Sequence, residues 1–252
     1  MISVCVIYCK EDQQYMPNNL RQIPKGWEKV VCYSEKGLKD DLKVERAGDT
    51  VNIRYTYSGN LDLSKIRNTV KQYAKHEWIL FLDADEILMN YNYTLIESLC
   101  YNSNRRVGGF TVNLICPTPF RGDSGTTITE VHKLCRLFKN LPQFQYEYEW
   151  HELIGYSIVR NGFIVLESDV YLVHEGYKSF EQQKTKIKRN KAEIDKHPYL
   201  KHIKHIAHSI ENESKLLRML EPSSAPALNP NNEQLPKPNY ERLQQALDGI
   251  IN

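Results

Sequence analysis

The sequence predicts an α/β fold: an open, mixed central sheet flanked by helices, with a C-terminal helical extension. Three observations carry this. Residues 2–8 are a continuous apolar run of strand length. Residues 62–74 place Ile66, Val70, Tyr73 and Ala74 at helical spacing, with Asp62 or Ser64 available as the cap. Trp78-Ile79-Leu80-Phe81-Leu82 is then a short, fully apolar strand that runs straight into Asp83-Ala84-Asp85-Glu86. Strand, helix, strand with carboxylates at the last strand's C-terminal end is the layout of an open α/β sheet, and such sheets bind ligands just beyond those ends.

The remaining elements follow in order. Residues 29–33 and 51–57 read as strands joined by polar, glycine-bearing connections. Residues 92–101 read as a helix and 108–115 as a strand. Residues 117–130, with two prolines, Gly122 and Gly125, read as a loop over the cleft. Residues 133–138, 162–166 and 170–174 read as further strands. From Ser179 to about Leu220 the pattern is helical and lysine-rich, and residues 221–239 hold five of the chain's 11 prolines, the composition of a linker. Residues 240–251 read as a terminal helix whose Leu243, Leu247, Ile250 and Ile251 dock on the body. The expected organisation is a main domain at 1–177, a basic helical extension at 178–220, a Pro-rich linker at 221–239 and a C-terminal helix at 240–252.

Composition narrows the class. The 252 residues are 41% hydrophobic and 25% charged, as in an ordinary globular protein. A net charge of +2 is too small for the total alone to argue for a nucleic-acid or membrane partner. No stretch approaches the roughly 20 apolar residues that span a bilayer. The N-terminus lacks a basic lead-in and a small-residue cleavage site, so a cytoplasmic location is expected. Six scattered cysteines with no C-x-x-C pair read as reduced thiols rather than as a disulfide framework or a zinc site. Tyrosine is frequent, at 16 residues, which suits both a wet cleft and half-buried packing.

Taken from spacing alone, the acidic cluster has two readings. Carboxylates at i and i+2 in extended backbone project to one side, where they repel unless a cation lies between them or one is protonated. Mg²⁺ or Mn²⁺ would relieve that repulsion and bind a diphosphate at its remaining positions. Alternatively, Asp83, Asp85 and Glu86 are solvated strand-end or helix-cap residues.

The order of the surrounding motifs adds to this. Arg67-Asn68 heads the preceding helix, and Arg136-Leu137-Phe138, Trp150-His151-Glu152 and Val173-His174-Glu175-Gly176-Tyr177 follow the cluster. In this order and spacing they resemble family 2 glycosyltransferases of the GT-A fold, over roughly residues 2–190. The resemblance implies a GT-A-like (Rossmann-like) catalytic domain and inverting transfer from a nucleotide-sugar donor, with a UDP-sugar as first expectation, aided by Mn²⁺ or Mg²⁺. It implies that Asp85 ligates the metal and that Asp83 contacts the ribose or the metal shell, with His174 completing the metal site. Arg67 and Asn68 would hold the donor, Tyr8 would lie against the nucleobase, and Glu152 would be the general base, with Glu149 second. Two places depart from the family pattern. The second strand ends Val31-Cys32-Tyr33-Ser34 with no acid until Glu35, and the first ends Tyr8-Cys9-Lys10-Glu11-Asp12. Both touch the nucleotide pocket.

Between Lys178 and His208, nine basic residues face three acids, a local net charge of +6. Such a run is either a solvated helix face or a patch for a polyanionic acceptor: modified DNA, lipid phosphate or an acidic glycan. Two rival functions stand beside the transferase. One is a phosphatase of the haloacid-dehalogenase type, with Asp83 as nucleophile. The other is a non-catalytic nucleic-acid-binding protein that uses the basic helices.

Overall fold

The computed structural model describes residues 1–89, 92–121, 127–147 and 153–175. The expected boundaries at 177/178, 220/221 and 239/240, the basic segment, the Pro-rich stretch and the terminal helix all lie outside the described residues. The strands are β1 (Ile2–Tyr8), β2 (Glu28–Lys36), β3 (Asp41–Ala47), β4 (Thr50–Tyr57), β5 (Trp78–Asp83), β6 (Glu86–Leu88), β7 (Val107–Arg121), β8 (Thr127–Lys139) and β9 (Ile164–His174). The helices are α1 (Met16–Gln22), α2 (Leu63–Lys71), α3 (Asn92–Asn102) and α4 (Gly155–Arg160). The strands form one mixed sheet in the order β3-β4-β2-β1-β5-β8-β7-β9-β6, so the α/β class expected from the sequence is the one observed. Among the described residues no helix is long and apolar enough to cross a membrane.

β1 pairs in parallel with β2 on one side and β5 on the other, and β2 pairs in parallel with β4. The chain therefore winds outward from β1 to β4 and then returns to the opposite side of β1. That reversal is the switch point of a Rossmann-like sheet, where a crevice opens beyond the carboxyl ends. The register sets Tyr8 beside Tyr33 and Ile7 beside Asp83 at this edge.

The period-2 alternation of the strands divides the core in two. Ile2, Val4, Val6, Trp78, Leu80 and Leu82 pack on one face with Met16 of α1 and Ile96 of α3. Cys5, Val30, Cys32, Ile79 and Phe81 pack on the other with Ile66 and Val70 of α2 and Ile158 of α4. Asp62 caps α2, its carboxylate accepting the Lys65 N–H at 2.9 Å.

β6 begins at Glu86, just after β5 ends at Asp83, yet β8, β7 and β9 lie between them in the sheet. Crossing that many strands in a flat sheet would take about 19 Å at ~4.8 Å per strand. A connection from Asp83 to Glu86 reaches only about 10 Å. The far half of the sheet therefore curls back until its last strand lies beside the exit of β5.

Several elements differ from the sequence reading. β3 was hidden because Asp-Leu-Lys-Val-Glu-Arg-Ala is an edge strand with only Val44 half-buried, and charges of this kind protect an edge from further pairing. The expected loop at 117–130 is in part strand: β7 continues to Arg121, β8 starts at Thr127, and Pro117 faces Thr129. The last β7 residue paired with β9 is Ile115, so beyond it the side of β7 turned away from β8 carries no described ladder, and a proline's missing N–H is tolerated there. The expected strands at 162–166 and 170–174 join as one strand, β9, which starts at Ile164 and has a register shift opposite Thr111 and Asn113 where the sequence reads as a break. Gly162 lies outside it, in a left-handed conformation (φ 82°) just after α4.

α4 packs closely on β7. A methyl group at Gly108 would fall 2.5 Å from Ile158 Cγ2 and 2.7 Å from Phe163 Cβ. Gly108→Ala is expected to destabilise the fold by about 1–3 kcal/mol through overpacking, read as a lower urea midpoint at an unchanged m-value.

Candidate active site

Asp83 is the last residue of β5, and strand alternation turns its side chain to the α2 face, where two guanidinium groups meet it. Arg67, from α2, donates from Nη2 to Asp83 Oδ1 at 2.6 Å. Arg136, from β8, donates from Nη2 to Asp83 Oδ2 at 2.6 Å and to Glu86 Oε1 at 2.7 Å. Glu86 Oε2 in turn accepts the Asp83 N–H at 2.9 Å. The Arg67 guanidinium lies 4.6 Å from the Phe81 ring centroid and 5.5 Å from that of Tyr146, a cation–π setting that holds it in plane.

Burial decides what these charges do. Arg67 and Arg136 are buried and Glu86 is fully so, whereas 34% of the Asp83 side chain remains exposed. Burial alone would raise the Asp83 carboxyl, but Arg136 and Arg67 outweigh it and hold the group well below the ordinary carboxylate range. Glu86 shares its one arginine with Asp83. Desolvation wins there and pushes its carboxyl upward despite Arg136.

After Asp83 the chain turns, so the i, i+2 geometry expected of an extended segment does not hold. Asp83 faces the arginines, whose guanidinium groups offset its repulsion with neighbouring acids. Asp85 lies beside the end of β9, its Oδ2 3.6 Å from His174 Nε2. The Asp85 carbonyl accepts the Glu175 N–H at 2.7 Å, and Glu86 pairs with His174 in the β6–β9 ladder. Two residues far apart in sequence are thus brought together as expected. Among the described residues no group of three His, Cys, Asp or Glu side chains could hold a metal ion. Asp85 and His174 supply one oxygen and one nitrogen. Their 3.6 Å separation is wider than the roughly 2.9 Å between adjacent ligands of an octahedral ion with bonds of about 2.0–2.1 Å, a gap that a small side-chain rotation would close.

The other expected residues fall as follows. Asn68 donates to the Tyr146 carbonyl at 2.9 Å and accepts the Tyr146 N–H at 2.7 Å. Arg67 thus pairs with Asp83 and Asn68 with the Tyr146 backbone, so both brace groups that surround the crevice. Tyr8 stands at the carboxyl edge with its ring 5.2 Å from that of Tyr33. Glu35, the first acid after β2, is engaged by Arg54 at 2.6 and 2.7 Å. Glu149 and Glu152 lie outside the described residues, although Glu147 and Leu153, which flank them, pair with each other through both backbone hydrogen bonds.

Sequence reasoning missed Asn19 on α1. Its amide donates to the carbonyls of Asp83, Ala84 and Glu86 at 3.1, 3.2 and 2.9 Å. Nothing in Met16-Pro17-Asn18-Asn19-Leu20 distinguishes it from Asn18. Arg136, from the Arg136-Leu137-Phe138 motif, pairs with both Asp83 and Glu86.

No family model and no curated protein matches this chain. Among solved structures it is similar to the mannosyltransferase PcManGT from Pyrobaculum calidifontis in complex with GDP-Man and Mn²⁺, at 14% identity and TM-score 0.48, over 99% of this chain and 79% of that one. It is also similar to S. aureus TarS 1-349, at 13% identity and TM-score 0.42, over 75% of this chain and 65% of that one. A third is the 2-C-methyl-D-erythritol 4-phosphate cytidylyltransferase IspD of Francisella tularensis, at 8% identity and TM-score 0.39, over 67% and 90%. The chain spans 39% of a longer TarS structure. Likeness at this level carries no ligand, acceptor or reaction over to the chain.

Proposed function

We propose that the chain is a divalent-metal-dependent glycosyltransferase of the GT-A, family 2 type. It transfers a hexosyl group, with inversion, from a nucleotide-diphosphate sugar, UDP-sugar foremost, to an acceptor hydroxyl. The observation that carries this reading is the acidic turn at the switch point, where Asp83 is clamped by Arg67 and Arg136 while Asp85 faces His174.

In this reading Asp85 and His174 hold Mn²⁺ or Mg²⁺. The bound ion supplies Lewis-acid stabilisation of the departing diphosphate. Asp83, kept ionised and one-third exposed, accepts a donor hydroxyl, and its arginines prevent it from taking up a proton. Tyr8 lies beside the nucleobase. Glu152, with Glu149 second, removes the acceptor proton as that oxygen attacks the anomeric carbon. Asn68 anchors Tyr146, and the Glu147–Leu153 pair closes the base of the segment that carries both acids. The run from Lys178 to His208 suits a polyanionic acceptor: modified DNA, phospholipid or acidic glycan.

The phosphatase reading loses ground on the same geometry. Each Asp83 oxygen already accepts from a guanidinium group, which draws charge from the carboxylate and makes it a poor nucleophile while leaving a lone pair for a hydroxyl. The binding-only reading predicts nucleic-acid binding that survives Asp85→Ala unchanged, with no transfer activity to lose.

A thermal-shift panel of UDP, GDP and their sugar conjugates, with and without Mn²⁺, tests the proposal. At a ligand concentration about 100 times Kd the native state gains about 2.7 kcal/mol, a shift of several degrees that should require the metal. If no nucleoside diphosphate raises the melting temperature in Mn²⁺, the reading fails.

A further inference from the structure

The acidic turn has an unusual backbone. Each carbonyl from Asp83 to Glu86 has a donor, and three of the four are served by one side chain. The Asn19 amide reaches the Asp83, Ala84 and Glu86 oxygens, and the Glu175 N–H takes that of Asp85. Gln22, one helical turn further along α1, donates to the Glu86 carbonyl at 3.3 Å and accepts the Leu88 N–H at 2.5 Å. α1 therefore splints the turn from one side, while the end of β9 holds it from the other.

Asn19 makes these bonds while only 1% exposed, and its own Oδ1 is buried without a partner. A turn at a sheet edge could leave its carbonyls to water at no such penalty. A buried amide left half-satisfied is retained where the backbone it holds must keep one shape. That shape matters here because Asp85 has a short side chain. Where its carboxylate points is set almost wholly by the backbone on either side of it, and that backbone is what Asn19 fixes.

We propose that Asn19 is a positioning residue that presents the Asp85 carboxylate to His174 and so prepares the divalent-cation site of the nucleotide-sugar enzyme. The inference rests on the function proposed above. Asn19 touches neither donor nor metal. It acts through the backbone, as outer-shell groups do when they orient metal ligands, an effect usually worth 10–100-fold in metal affinity.

The test is Mn²⁺ binding in the presence of saturating UDP, read from the loss of the free-ion electron paramagnetic resonance signal. UDP binding without metal and the melting temperature are measured alongside. Asn19→Leu keeps the volume and removes the donor. It should weaken Mn²⁺ about 10–100-fold while metal-free UDP binding stays within twofold of the parent. Asn19→Ser, smaller and easier to accommodate, should give a loss of the same sign and serves in its place if the leucine variant does not fold. Parent-like Mn²⁺ affinity in a folded variant, with only the melting temperature lowered, makes Asn19 merely structural and overturns the inference alone. Failure of the parent protein to bind Mn²⁺ with UDP overturns the functional reading as well.

Discussion

Asp85→Asn should abolish metal-dependent transfer, lowering kcat/KM on the order of 10³-fold, and leave the fold intact. The amide keeps the shape of the carboxylate but removes the charge and one metal-binding oxygen. The turn itself is held by groups that the substitution does not touch: Asn19 at three carbonyls, Glu175 at the fourth, and Glu86 at the Asp83 N–H. The melting temperature should therefore move little, and the loss should appear in the Mn²⁺ titration rather than in circular dichroism. A variant that transfers sugar at the parent's rate removes Asp85 from the metal site.

Arg136→Met should be the most destabilising single change at the site. It leaves Glu86, fully buried, without its cation and takes one of two partners from Asp83. Breaking a buried pair from one side costs about 3–5 kcal/mol, a large part of the 5–15 kcal/mol that a domain has in total. The loss should depend on pH. Asp83, held low, contributes stability above its ordinary range near 3.8 that is lost as the pH falls. Glu86 runs the other way. Its carboxyl is pushed up from 4.5 to about 7 by burial, so its contribution is complete below 4.5 and declines as the pH rises through about 7. Without Arg136 the ionised form of Glu86 is harder still to bury, so urea unfolding should show a larger deficit at pH 8 than at pH 5. Equal deficits at both values, or a deficit under about 1 kcal/mol, would show that the pair is not buried in solution.

What could be read from the sequence was what local pattern determines. The apolar runs of β1 and β5, the spacing of Ile66 and Val70 in α2, and the carboxylates at the strand end each follow from one stretch of chain. Edge strand β3 was hidden because its pattern is that of surface, and the β7–β8 ribbon because Pro117 reads as a breaker unless one knows which side of the strand lacks a neighbour. The site divided in the same way. That Asp85 and His174 belong together came from motif order. That Asp83 belongs to Arg67 and Arg136, and that the turn hangs from Asn19, depends on where the chain bends after β5, and Asp-Ala-Asp-Glu reads equally well as continued strand.

The curled far half of the sheet also bears on the order in which the protein can assemble. β6 has its only described partner in β9, and Glu86 pairs with His174, so the turn cannot be closed until the later strand has emerged and docked. A ribosome-bound chain that ends before β9 has every strand of the parallel core and none of the closure. Under the proposed function, cation-dependent nucleotide binding reports completed folding rather than core formation, and a bound donor slows the reopening of that seam more than the unfolding of the core beneath it.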